Sequence, residues 1–273
     1  MLKFGFSTYF FLKDDIHQVI DHIVSSGLKT MEVSCEIPHV RNMDDAFRLR
    51  MNALKSVGMR FSMHAPFLEL NLGSFFQDNR IRTMIKLKSA IDMAHEIGCD
   101  PVVVHPGYAP LAGRLKDIED RTRGYFTEDL AEIARYAKEK GLRIALENVY
   151  LPVFFFREMD EFNAIRQEVP DIGIALDLGH AYITKLSAGE IDPEGAIIRD
   201  IEALGVEHLF HVHVHNNWGT KDDHLFLDGA MDLKRVVHAL DSIGYDGKAI
   251  IESYDAEEHG MSAVLERLKE ISP

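Results

Sequence analysis

The chain has 273 residues, 46% of them apolar and 27% charged. That balance excludes a disordered or collagen-like polymer, and a chain this long buries a large core without disulfide or metal staples. Its 44 acidic residues outnumber 30 basic ones, and the net charge of −14 argues against non-specific binding to nucleic acid or an anionic membrane.

Short apolar runs alternate with longer helical patterns. Strands are predicted at 3–8, 30–35, 60–65 and 101–106, with helices near 14–26, 44–57, 78–97 and 116–140. The second half continues with strands at 143–148, 172–178, 209–215 and 247–253, and helices near 158–168, 193–204, 232–243 and 260–271. Gly27, Gly58, Gly98, Gly141, Gly205 and Gly244 stand where helices end, as left-handed caps. Strand alternating with helix implies crossover units and a parallel sheet. Eight units in this length predict an α/β fold, a single (β/α)8 TIM barrel occupying residues 1–273. An open doubly wound sheet is the alternative, but its glycine-rich phosphate turn is missing after the first strand.

No basic region, apolar stretch and cleavage site precede the first strand, and no apolar run approaches the ~18–20 residues that span a bilayer. Cys35 and Cys99 are the only cysteines, so a reducing compartment is expected. Together these features predict a soluble, cytoplasmic protein without a membrane partner.

Buried parallel strands should read as near-continuous apolar runs. Here six consecutive strands carry polar residues at or near their C-terminal ends: His64, His105, Glu147, Asp177 with His180 beyond it, His211 to His215, and Glu252. Asp222 and His224 follow in the loop after the seventh strand. In a barrel these ends converge on one face. A single such residue is most simply a hydrogen-bonded core group. Six strands doing the same predict a shared metal site, because clustered carboxylates and neutral imidazoles suit a divalent cation. Alternation puts His211, His213 and His215 on one side of their strand. His213 is the expected ligand, His211 a deeper core residue, and His215 a rim residue within reach of substrate. Glu32 and Glu36 point inward, and Glu32 requires a partner; Cys35 faces the helices.

The segments His64-Ala65-Pro66-Phe67, Val104-His105-Pro106-Gly107, Leu146-Glu147-Asn148, Asp177-Leu178-Gly179-His180, His213-Val214-His215-Asn216-Asn217, Asp222-Asp223-His224 and Ile251-Glu252 occur in this order. They resemble the successive motifs of the xylose-isomerase-like TIM barrels, a superfamily that includes endonuclease IV and sugar isomerases and epimerases. Resemblance to the epimerase branch implies one divalent metal on Glu147, Asp177, His213 and Glu252. It further implies that Glu147 and Glu252 act as acid and base on a sugar or sugar phosphate through a metal-stabilised enediolate, with His180 orienting a substrate oxygen. Resemblance to endonuclease IV implies three zinc ions, adding His64 and His105 on one and His180, Asp222 and His224 on another. All nine positions are filled, so one to three ions of zinc, manganese or magnesium are implied.

Two departures bear on the choice. An apolar stretch, Val149 to Phe156, replaces the small polar segment of the endonuclease pattern and suits a lid, a small-molecule pocket or an oligomer contact. Asp228-Gly229-Ala230 stands where the family has a glycine-x-glycine. The loop cations Arg41, Arg80, Arg114, Lys116, Arg121 and Arg123 are mixed with acids rather than forming a stripe for phosphates. A metal-dependent isomerase or epimerase is therefore the first expectation. A trinuclear phosphodiester hydrolase is the second, with nucleic acid as its partner, and a non-catalytic metal-binding barrel the third.

Overall fold

The computed structural model describes residues 2–111 and 113–273. Eight parallel strands close into a barrel in chain order: β1 (Lys3–Ser7), β2 (Thr30–Ser34), β3 (Arg60–His64), β4 (Cys99–Val104), β5 (Ile144–Glu147), β6 (Ile172–Asp177), β7 (Leu209–Val214) and β8 (Lys248–Ile251). β8 pairs back onto β1 through Phe4↔Ala249 and Phe6↔Ile251, which closes the (β/α)8 barrel expected from the sequence.

The outer layer holds α1 (Ile16–Ser25), α2 (Asp45–Ser56), α3 (Gln77–Ile97), α4 (Lys116–Glu139) and α5 (Met159–Glu168). It continues with α6 (Leu178–Ser187), α7 (Pro193–Leu204), α8 (Leu233–Ser242), α9 (Asp255–Glu258) and α10 (Met261–Ile271). α1 shows how the sequence makes such a helix. Asp15 and Gln18 form a capping box, and Ile16, Val19, Ile20 and Ile23 recur at helical spacing on its buried face. The six glycines read as helix terminators all have positive φ, from 75° at Gly141 to 95° at Gly58. None of the described helices is long and apolar enough to cross a membrane.

The eight anticipated helices are present; the single-turn α9 is an addition, and so is α6. It starts directly after β6, with the Asp177 side chain accepting the His180 N–H at 2.7 Å as its cap. Every residue from Leu178 to Thr184 is buried, so its first two turns have no polar face and no amphipathic period marks them.

The core has two parts. A large apolar shell fills the space between strands and helices, with Phe6, Ile20, Phe47, Phe61 and Leu130 among its buried members. Inside the barrel Val103, Ala145 and Ala175 form a separate small cluster against Phe210. Small residues are required there: a Cβ on Gly5 would come 2.4 Å from the Thr30 carbonyl oxygen. The interior also carries Glu32, Ser62, His64, Glu147, Asp177, His211 and His213, all buried. Enclosed ionisable groups of this kind need partners.

Candidate metal centre

The barrel brings all nine sequence-predicted residues to the C-terminal ends of its strands. Glu147 and Asp177 terminate β5 and β6, His213 lies on β7, and Glu252 follows β8 by one residue. His213 Nδ1 lies 3.5 Å from Glu147 Oε1, 3.8 Å from Asp177 Oδ2 and 3.7 Å from Glu252 Oε2. This nitrogen is buried and makes no hydrogen bond. The other ring nitrogen, Nε2, donates to Glu32 Oε1 at 3.2 Å. In the neutral ring Nδ1 therefore presents a lone pair toward three carboxylates, an arrangement relieved by a cation between them.

The same logic recurs at three further histidines. His64 Nδ1 donates to the Ala65 carbonyl at 2.9 Å, His180 Nδ1 to the Asn148 carbonyl at 2.8 Å, and His224 Nδ1 to the Glu252 carbonyl at 3.0 Å. A carbonyl only accepts, so each Nδ1 carries the proton and each neutral ring has a bare Nε2. Those Nε2 atoms face carboxylate oxygens: His64 meets Glu147 Oε2 at 3.1 Å, and His180 and His224 meet Asp222 Oδ2 at 2.9 and 3.1 Å. His105 Nε2 lies 3.2 Å from the same Glu147 oxygen. Lone pair against carboxylate at hydrogen-bond distance requires either a proton or a metal ion. The donor set thus fits divalent cations at three clusters: Glu147–Asp177–His213, His64–His105–Glu147, and His180–His215–Asp222–His224.

The carboxylates titrate apart. Burial pushes Glu147 up, but His105 and His213 outweigh it and hold the carboxyl well below its usual range. Burial, with Glu147 and Glu32 nearby, pushes Glu252 up to about 8 despite His213. Burial opposes charge on His64 and His180, yet their carboxylate neighbours raise them to about 9 and about 10. Burial lowers His105 and His224.

Glu32, which the sequence left in need of a partner, finds three. Beyond its bond from His213, it lies 2.7 Å from His211 Nε2 and accepts from Ser62 Oγ at 3.1 Å. His211 is the deep core histidine expected, and burial lowers it to about 4. His215 is not a rim residue. It is fully enclosed, with Nε2 2.9 Å from Asp177 Oδ1 and its ring stacked on His224 at 4.1 Å. The start of α6 covers it, because a Cβ on Gly179 would lie 2.0 Å from its ring.

Backbone clamps hold the loops that carry these groups. Glu36 accepts from the amides of Phe67 and Leu68 at 2.7 and 2.8 Å. Asp255 does the same for Phe226 and Leu227 at 2.6 and 2.8 Å. The departure at Asp228-Gly229-Ala230 is accommodated by Gly229, at φ 123°, against Asn216, whose Oδ1 accepts from Met231 N at 3.0 Å. The apolar 149–156 stretch folds over the face: Phe155 and Phe156 are buried, while Val149, Tyr150, Leu151 and Phe154 line a cavity above the clusters. That cavity has a volume of about 350 Å³. Glu147, Glu252, His64, His105, His180, Asp222 and His224 reach it, whereas Asp177 and His213 lie beneath.

A parallel barrel with imidazoles and carboxylates gathered at the C-terminal strand ends has the layout of a barrel enzyme. The chain belongs to the xylose isomerase-like TIM barrel family, whose model matches residues 20–271. It is 28% identical over 258 residues to protein MJ1311 of Methanocaldococcus jannaschii, covering 92% of this chain and 84% of that protein. Among solved structures it resembles a D-tagatose 3-epimerase-like protein at 27% identity and a TM-score of 0.82, covering 99% of this chain and 97% of that one. It shares its fold with the IolI protein, whose structure binds a zinc atom, at 16% identity and a TM-score of 0.79, covering 99% and 98% of the two chains. Solved structures that share this fold include an L-ribulose 3-epimerase at 18% identity and a D-psicose 3-epimerase at 16%, so the family and its structural neighbours include sugar isomerases and epimerases.

Proposed function

We propose that the protein is a metal-dependent sugar isomerase or epimerase. The observation that carries this reading is the His213 Nδ1 atom, buried without a hydrogen bond and facing Glu147, Asp177 and Glu252 at 3.5, 3.8 and 3.7 Å beneath the cavity. Glu147 and Glu252 both line the cavity, where their carboxyls can serve as base and acid toward a bound substrate. Glu147, Asp177, His213 and Glu252 would hold the cation. When bound, a divalent metal supplies Lewis acidity that polarises a substrate carbonyl and acidifies the adjoining C–H.

The chain's own residues do the rest. Glu147, as carboxylate, accepts the carbon-bound proton. Glu252, as acid, returns one to the opposite face in epimerisation, or Glu147 redelivers its own to the neighbouring carbon in isomerisation. His180 reaches the cavity beside Glu147 and orients a substrate oxygen. The test is deuterium uptake at the carbon beside the ketose carbonyl in heavy water, with zinc- or manganese-loaded protein. Uptake is expected for the parent chain and absent from Glu147→Gln.

A second reading rests on a separate observation: three of the ligand clusters gather at the C-terminal strand ends, and three histidines have their tautomers set by backbone carbonyls. A three-ion set supports phosphodiester hydrolysis of the endonuclease IV kind. Cleavage of an abasic-site duplex, abolished by His105→Ala or Asp222→Asn, would favour it over the isomerase.

A further inference from the structure

We propose that the chain carries a second binding site, apart from the metal centre, for an aliphatic carboxylate: a saturated chain with an anionic head. The site does not depend on the isomerase reading.

Residues 35–43, residues 66–70 and the flank of α3 enclose a groove of about 360 Å³, similar in size to the cavity over the metal clusters. Small-molecule sites begin at about 300 Å³. The groove and the cavity have no lining residue in common. Phe67 faces the clusters, while Pro66 and Leu68 on either side of it face the groove.

The walls select a chain. Ile37, Val40 and Leu68 line the groove and remain 53%, 40% and 43% exposed. Exposed aliphatic groups gathered around one concavity mark a surface that a ligand covers. Met43 and Met93 lie among them, and their unbranched side chains adapt to the shape of an occupant. Among the described lining residues there is no aromatic ring, whereas Phe67, Tyr150 and Phe154 line the cavity over the clusters. A planar ring system gains from stacking on other rings, which the groove does not offer. A flexible saturated chain needs only apolar contact.

The charges select the head. Glu36 and Lys86 line the groove. The Glu36 carboxylate is already satisfied, accepting from the amides of Phe67 and Leu68 at 2.7 and 2.8 Å and of Ile37 at 3.3 Å. Lys86 is exposed, and no ion pair among the described residues includes it. Its neighbours one turn away on α3 are Arg82, Thr83, Ser89 and Ala90, so the helix supplies no carboxylate. Arg82 and Lys86 repel one another at this spacing, which an anion held over them relieves. Ser89 also lines the groove and adds a hydroxyl donor beside Lys86. A carboxylate head therefore complements the one uncommitted charge of the groove.

The experiment titrates octanoate, decanoate and octan-1-ol into the full chain carrying methyl-labelled methionine, followed by NMR. The Met43 and Met93 methyl signals should move and saturate. Decanoate is expected to bind about tenfold more tightly than octanoate, through its two further methylenes. Octanoate should bind about fivefold more tightly than octan-1-ol, and Lys86→Gln should remove that difference. Val40→Asp, at an exposed position, should weaken all three probes about tenfold without moving Tm. Shifts that spread over the other methionines without saturating, or equal binding of octanoate and octan-1-ol to the parent chain, would overturn the inference. Met43 and Met93 shifts that follow protein concentration with no probe present would overturn it too, by placing a second copy of the chain in the groove.

Discussion

Glu32 Oε1 accepts the Nε2 proton of His213 at 3.2 Å inside the barrel, and that bond turns His213 Nδ1 toward Glu147, Asp177 and Glu252. The carboxylate is braced by Ser62 and His211, so the imidazole has one tautomer available. Replacing Glu32 by Gln keeps the shape but loses the charge that favours this tautomer. Metal affinity should fall about 10- to 100-fold, read by competition with a chromogenic chelator. An unchanged affinity would show that His213 orients itself without help.

Glu147→Gln and Glu252→Gln should each lower kcat by about 100- to 10,000-fold, measured on the ketose that shows the fastest deuterium uptake. Loss confined to one variant would point to isomerisation by a single base. Near-normal rates in both would falsify the acid–base pair.

Chelator-treated protein should be less stable, because bare imidazole nitrogens then face carboxylates or must take up protons. Adding zinc at about 100 times its Kd should restore about 2.7 kcal/mol for each ion bound, seen as a rise in Tm. Elemental analysis gives the count. One ion per chain accords with the Glu147–Asp177–His213–Glu252 site alone, and three ions would shift the assignment to the phosphodiesterase.

Gly179→Ala places a Cβ 2.0 Å from the His215 ring, which is enclosed and already stacked on His224. The ring cannot swing away without leaving Asp177. The substitution should cost about 1–3 kcal/mol in urea denaturation and weaken metal binding in the same variant. Wild-type stability would mean that α6 shifts as a body.

Asp192 caps α7 through Gly195 N and pairs with Arg235 at 2.5 and 2.8 Å. The Arg235 hydrogen bonds, with the cap, lower its pKa to about 2 from 3.8. The folded value lies below the unfolded one, so the stabilisation is present above 3.8 and is lost as pH falls through about 2. Arg235→Met should flatten this acid limb, compared by urea midpoints at about pH 7 and about pH 3. Added salt should shrink the difference, since the pair is exposed.

Much of this architecture is legible in the chain itself. Apolar runs separated by glycine-terminated helices mark eight strands, and the polar residues at their ends mark the face where imidazoles and carboxylates gather. Local periodicity determines such features, because burial on one side of a strand or helix needs only its own residues to alternate. α6 escaped because its first two turns are buried all round and carry no period. His215 was placed at the rim because depth along β7 does not reveal what packs over its end. The histidine partners of Glu32 lie about 180 residues away on β7, and only barrel closure brings them together. The tautomers and the split between Glu147 and Glu252 belong to the tertiary structure for the same reason. Each depends on distances of a few ångströms between groups from different strands, and no one strand's sequence contains them.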